Sequence, residues 1–221
     1  MAGLDRQLKL VRRLASARQR QKLGLFVCEG EDLVDAARGA GIEPVELLVA
    51  GDNVDAASLA QVSALGHPPR VIGVFRRGDL RQTPLPPVGL ALWCVGDPGN
   101  VGALIRTADA LGPAFVALSD GCADPTSPKA VRASMGALFR VPLLAFDDAP
   151  KPWTALVAHG GASLGDATGE TLVLGAEREG ISDEVLERRD ERVTIPLATG
   201  AESLNVAAAG AIALYERSRR G

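Results

Sequence analysis

Apolar positions near the start of the chain recur at helical spacing. On a wheel at about 100° per residue, Leu4, Leu8, Val11 and Ala15 share one face. Arg6, Lys9, Arg13 and Arg20 fall opposite, so the pattern predicts an amphipathic helix with a basic outer stripe. Short apolar runs and helical repeats then alternate. GLFVCEG reads as a strand, EDLVDAARGAG as a helix, VELLVAG as a strand, DAASLAQVSAL as a helix and VIGVF as a strand. That β-α-β-α-β order is an α/β pattern. RQTPLPPVG, residues 81–89, holds three prolines, which neither continue a helix nor donate to a sheet. It reads as a linker between one domain over residues 1–84 and a second over residues 88–221.

The second part opens with LALWCVG as a strand, and NVGALIRTADALG follows as a helix with Gly112 as its C-cap. AFVALSD is a strand. SPKAVRASMGALF is a helix with Ser127 as N-cap and Pro128 at its first position. VPLLAF reads as a strand, WTALVAHGG as a short helix, TLVLG and RVTIPL as strands, and ISDEVLERRD as the helix between them. SLNVAAAGAIALYERSRR closes the chain as a helix, with Ser203 a good N-cap. The alternation implies a largely parallel sheet covered on both faces. Along the last helix Leu204, Ala208, Ile212 and Tyr215 form one stripe. Ala209, Gly210 and Ala213 form a small-residue face that another helix can approach closely, within this chain or from a second copy.

Composition narrows the function classes. The chain has 221 residues with net charge −3, which argues against a general polycation that coats nucleic acid. The charge is uneven, however. Arg6, Lys9, Arg12, Arg13, Arg18, Arg20 and Lys22 stand against Asp5 alone in the first 22 residues, a local footprint suited to phosphates. No long uncharged apolar run suggests a membrane span, and the start lacks the apolar core of a secretory signal, so a cytoplasmic protein is expected. Cys28, Cys94 and Cys122 are far apart and odd in number. With His67 and His159 they show no metal-ligand spacing, so no metal and no disulfide framework is expected.

In parallel sheets ligands bind beyond the carboxyl ends of the strands. Three turn-rich loops lie there: GDPGNVG at 96–102, GAEREG at 175–180 and PLATGAESLN at 196–205. Their small residues let the backbone approach a ligand and offer bare N–H and C=O groups. Familiar nucleotide motifs do not fit. The first loop reads G-x-x-G-x-x-G, and the second has Ile181 where a phosphate-binding lysine would stand. Each loop carries polar residues: Asn100, Glu177, and the pair Ser203 and Asn205.

DPGNVGALIRTADALG, LVLGAEREGIS and VTIPLATGAESLNVAAAGAIALYE resemble, in order and spacing, the three motifs of the SpoU/TrmH branch of the SPOUT methyltransferases. SPKAVRASMGALFRVPL is similar to the segment between the first two. RQRQKLGLFVCEGEDLVDAA resembles the small RNA-binding α/β domain that precedes the catalytic domain in many members. The alternation of elements by itself draws an unknotted sheet; the trefoil knot in the last two motifs is implied by the resemblance alone.

The resemblance also implies S-adenosylmethionine (AdoMet) as methyl donor, a homodimer, and methylation of a ribose 2′-hydroxyl in RNA. Large-subunit ribosomal RNA leads as substrate. Transfer RNA, or a non-catalytic RNA-binding protein that kept the fold, are the alternatives. By similarity Leu174, Gly175, Ala176, Ile195 and Leu204 surround the donor. Arg106, Asn100, Glu177, Ser203 and Asn205 make the catalytic set, and Lys129 and Arg132, with Arg13 and Arg20 of the basic stripe, contact RNA. Arginine keeps its proton at ordinary pH. Arg106 therefore grips the neighbouring phosphate while a phosphate oxygen takes the hydroxyl proton, or acts itself through a perturbed guanidinium; the sequence leaves both open.

Overall fold

The computed structural model describes residues 2–65, 69–80 and 83–219. His67 and two linker residues, 81 and 82, lie outside them. Helix α1 spans Ala2–Leu14 and α2 spans Ala17–Leu23. The sequence reads as one helix, but Ser16 is extended, with φ −84° and ψ 129°, and turns the chain. Arg20 thereby leaves the basic stripe.

Strands β1 (Leu25–Glu29), β2 (Glu46–Val49) and β3 (Val71–Arg76) form a three-stranded sheet in the order β1-β3-β2. β3 runs antiparallel to both neighbours, so the alternating pattern does not yield parallel strands here. Helix α3 (Glu31–Gly39) buries Leu33, Val34 and Ala37, while α4 (Ala56–Ala60) is far shorter than its apolar pattern suggests.

The second sheet has seven strands: β4 (Val88–Leu92), β5 (Ala114–Leu118), β6 (Leu143–Ala145), β7 (Trp153–Leu156), β8 (Ala162–Ser163), β9 (Thr171–Leu174) and β10 (Glu191–Thr194). Every pairing in the order β6-β5-β4-β9-β7-β10-β8 is parallel. WTALVAHGG is thus a correction: its apolar half is β7, buried and paired with β9 and β10. The seven residues between Pro152 and Gly160 are too few for a stable helix and enough for a strand.

The pleat sends alternate β4 residues to opposite layers. Leu90 and Leu92 pack with Val101, Leu104 and Ile105 of α5 (Pro98–Ala110), whereas Ala91 joins Phe115, Trp153 and Val173. Helix α6 (Pro128–Ser134) starts at the expected Ser127 cap but ends at Met135, which is left-handed at φ 49°. Helix α7 spans Asp183–Glu187 and α8 spans Val206–Ser218. Gly112 is not the C-cap of α5; Leu111 holds that position and Gly112 has no positive φ.

Helix α8 lies tightly on the sheet. A Cβ on Gly210 would come within 2.3 Å of Leu104 Cδ2 and 3.0 Å of Leu174 Cδ1. Gly210 and Ala213 therefore pack inside this chain, and the outward stripe is Ala208, Ile212 and Tyr215. Among the described residues no helix is long and apolar enough to cross a membrane.

The two sheets share one apolar core. Phe139, just after α6, stacks on Phe26 of β1 at 6.2 Å and tilts against Phe75 of β3 at 5.6 Å between ring centroids. We expect Phe139→Ala to cost about 3–5 kcal/mol in chemical denaturation, the range for deleting a buried aromatic ring. A loss well under 1 kcal/mol would mean that this ring does not join the layers.

Candidate active site

The three loops anticipated from sequence meet at one edge of the parallel sheet. Strand β9 sits between β4 and β7, so the turn after β9 lies between the turns that follow its neighbours.

After β4, Cys94 adopts a left-handed φ of 55° and turns the chain toward α5. Asp97 caps α5 by accepting from Asn100 N at 3.0 Å, with Pro98 in the first turn. Its other oxygen accepts from Lys129 Nζ at 2.6 Å. The Lys129 ammonium and then the Asn100 N–H hold the Asp97 carboxyl below its ordinary range.

The turn after β9 is closed on itself. Ala176 N donates to Gly180 O at 3.1 Å and Gly180 N to Ala176 O at 2.9 Å. A Cβ on Gly175 would lie 2.2 Å from Gly180 C and 2.5 Å from Ile181 N, so only glycine admits this fold-back.

Side-chain amides tie the three loops together. Asn100 Nδ2 donates to Glu177 Oε1, and Asn205 Nδ2 donates to Asn100 Oδ1 at 3.2 Å. Asn205 Oδ1 accepts from the N–H groups of Ala207 and Ala208 at 2.9 and 3.3 Å. The N-cap of α8 is therefore Asn205 and not Ser203, which stays exposed.

Beside this link lies a cleft of about 560 Å³. Leu174, Gly175, Ala176, Ile195 and Leu204 all line it, as do Glu177 and Ser203. Sequence reasoning missed the stretch from Leu156 to His159, together with Glu179, Leu197 and Glu202. The first group was hidden by reading β7 as a helix; the TALV run bounded by Pro152 and Gly160 was the available signal.

The remaining predicted residues stand apart. Arg106 is exposed on α5 and is not among the cleft lining. Six residues beyond Asn100, it is rotated by about 120° from that side chain. It lies one turn after Gly102, whose Cα packs on Ala130 and Ala133 of α6. Within the single chain Arg106 thus does not line the cleft. Lys129 is exposed and ion-paired, and Arg132 is half-buried, with a buried Nη1 that has no hydrogen-bond partner among the described residues. Arg13 is exposed and donates to Gln19. Arg20 is a correction: it is 3% exposed and ion-paired to Asp124, so it offers no outward cation. Cys28, Cys94 and Cys122 are free thiols.

This is a parallel α/β enzyme architecture with its cleft at the strand carboxyl ends, and sequence comparison gives it a family. The model of the SpoU rRNA methylase family matches residues 87–215. The chain is 30% identical to the 23S rRNA (guanosine(2553)-2'-O)-methyltransferase RlmP of Bacillus subtilis, over 96% of this chain and 95% of that protein. Two AdoMet-bound crystal structures are also similar. One is an rRNA methyltransferase from Sinorhizobium meliloti, with 27% identity over 96% of this chain and 94% of that one and a TM-score of 0.84. The other is the SpoU methyltransferase AviRb from Streptomyces viridochromogenes, with 25% identity over 97% of each chain and a TM-score of 0.86. The chain belongs to the SpoU rRNA methylase family.

The double role of Asn205 is separable. Asn205→Ala removes the α8 cap and should cost about 1 kcal/mol of stability in denaturant. Asn205→Asp keeps the cap but has no N–H for Asn100. Its stability should stay near wild type while methyl transfer to RNA falls about tenfold, the scale of one lost hydrogen bond. Full activity in Asn205→Asp would remove the inter-loop bond from the site.

Proposed function

We propose that the chain transfers a methyl group from AdoMet to a ribose 2′-hydroxyl of RNA, with large-subunit ribosomal RNA as the substrate, in the cytoplasm. The observation that carries the reading is one cleft lined by the loops at 175–180 and 196–205, to which the 96–102 loop is tied from outside the lining by the Glu177–Asn100–Asn205 hydrogen bonds. The family and its rRNA-methylating relative support the substrate class.

The cleft suits the donor. Its walls combine apolar Leu174, Ile195 and Leu204 with small Gly175 and Ala176, which bring backbone donors and acceptors close. Glu177, Glu179 and Glu202 outnumber Arg178 in the lining and leave net negative charge at a site suited to a sulfonium cation. AdoMet supplies an electrophilic methyl group there. Leu174, Gly175, Ala176, Ile195 and Leu204 would hold it, with Glu177 and Ser203 on the same cleft wall. Transfer to a hydroxyl is a displacement in line, so orientation carries much of the rate.

Asn100 and Asn205 fix the loop geometry. Arg106, outside the cleft lining, grips the phosphate next to the target ribose and aligns the hydroxyl. The hydroxyl proton passes to an acceptor other than Arg106, for which a phosphate oxygen is suited. Lys129, Arg132 and the basic face of α1 with Arg13 hold the RNA further out. In the region 153–218, β9 enters between β4 and β7 while α8 returns onto α5; we infer that this passage is the family's knot.

We also infer a homodimer. Leu204, Ile212 and Tyr215 are 40%, 41% and 54% exposed, an apolar stripe continuous with α8. A partner seated there covers the stripe, beside the helix that carries Arg106.

Arg106→Ala should keep AdoMet affinity in calorimetry and lose methyl transfer to RNA by about 100-fold or more. Turnover like wild type would refute its role. In light scattering the native chain should run as a dimer and Ile212→Asp as a monomer; a monomeric native chain would refute the interface.

A further inference from the structure

One half-buried carboxylate joins the layer carrying the basic helices to the loops of the site. Asp124 lies between β5 and α6. Its Oδ2 accepts from Arg20 Nε at 2.8 Å, and its Oδ1 accepts from Arg77 Nη1 at 3.0 Å. Thr126 donates to the same Oδ1 through its N–H at 2.9 Å and its hydroxyl at 2.6 Å. Burial pushes the Asp124 carboxyl up, but the hydrogen bonds from Thr126 and Arg20 and the charge of Arg77 outweigh it and hold the group below its ordinary range.

The two guanidinium groups are anchored in turn. Arg20 Nη1 donates to Leu14 O at 3.0 Å and Ala15 O at 2.9 Å, gripping the junction of α1 and α2. Arg77 donates its backbone N–H to Gly24 O at 2.8 Å, at the end of α2, and its side chain also reaches Thr126 Oγ1 at 2.6 Å. On the other side Ala123 N donates to Val95 O at 2.9 Å, one residue before the 96–102 loop. Ser127 caps α6, whose Lys129 returns to Asp97. One carboxylate therefore lies between the base of α1 and α2 and the two substrate-side elements.

A buried ion pair is poor value as a stabiliser, since apolar replacements often do as well. What it supplies is direction: charge-assisted hydrogen bonds with fixed geometry. The outward cations here are Arg6, Lys9, Arg12 and Arg13 on α1 and Arg18 and Lys22 on α2. We propose that Asp124 is a positioning residue for the RNA substrate, holding the basic faces of α1 and α2 in register with the loop at Asp97 and Asn100. This rests on the reading that the N-terminal layer contacts RNA.

The test uses the full chain, AdoMet, and large-subunit ribosomal RNA transcribed in vitro. Asp124→Asn and Arg77→Met should raise KM for this RNA about tenfold, in the range for a small misplacement, with kcat and AdoMet affinity unchanged. Arg77→Lys, which keeps a cation, should recover most of the loss. Should Asp124→Asn fail to fold, the half-exposed Arg77 decides the matter. An unchanged KM in folded Arg77→Met overturns the proposal, as does a fall in kcat and AdoMet affinity without a change in KM. The triple variant Arg6→Gln, Lys9→Gln, Arg13→Gln tests the underlying reading separately. If it leaves KM unchanged, the N-terminal layer does not hold RNA; if it raises KM while Arg77→Met does not, only the role of Asp124 falls.

Discussion

The structure depends on the place of β9. Parallel pairing with β4 on one side and β7 on the other brings the β9 turn between loops that are distant in sequence. A sheet that added strands in chain order would leave residues 100, 177 and 205 apart. Here one hydrogen-bonded line, Glu177 to Asn100 to Asn205, joins all three. The glycines follow from this crowding. Gly175 lets its turn fold back, and Gly210 lets α8 settle on Leu104 and Leu174 so that Asn205 arrives at the rim.

The donor cleft and the RNA contacts draw on different physics. The cleft is made of small residues and backbone, with carboxylates at its wall. RNA contact, as proposed, draws on cations spread over α1, α2, α5 and α6, whose pull on phosphates is long-ranged and weakened by salt. The cleft can be built within one chain. Arg106 stands outside it, on α5, the helix that packs against α8; on the reading proposed above, the reaction centre is completed by the RNA and a second copy.

Much of this was legible in the sequence because it is local. Most strands and helices and the Ser127 cap follow from apolar period and turn residues; the five donor-pocket positions come from the family resemblance, and all five line the cleft. What failed had non-local causes. Arg20 fits the basic stripe on a wheel, but Ser16 breaks the helix and Asp124, over a hundred residues later, claims the guanidinium. Ser203 is as good a cap as Asn205 by residue type; the Asn100 contact accompanies the choice of Asn205. The face of Gly210 and Ala213 looked available to a second copy because its partners, Leu104 and Leu174, come from elements far away in the chain. β7 was lost because a strand of four residues carries no period of its own.

The most direct measurement of the central claim is mass-spectrometric mapping of methyl groups after unmodified large-subunit ribosomal RNA is incubated with the purified protein and isotopically labelled AdoMet. The account predicts label on the 2′-oxygen of a defined ribose. Label on a base, or none on the RNA while AdoMet is bound, would contradict it.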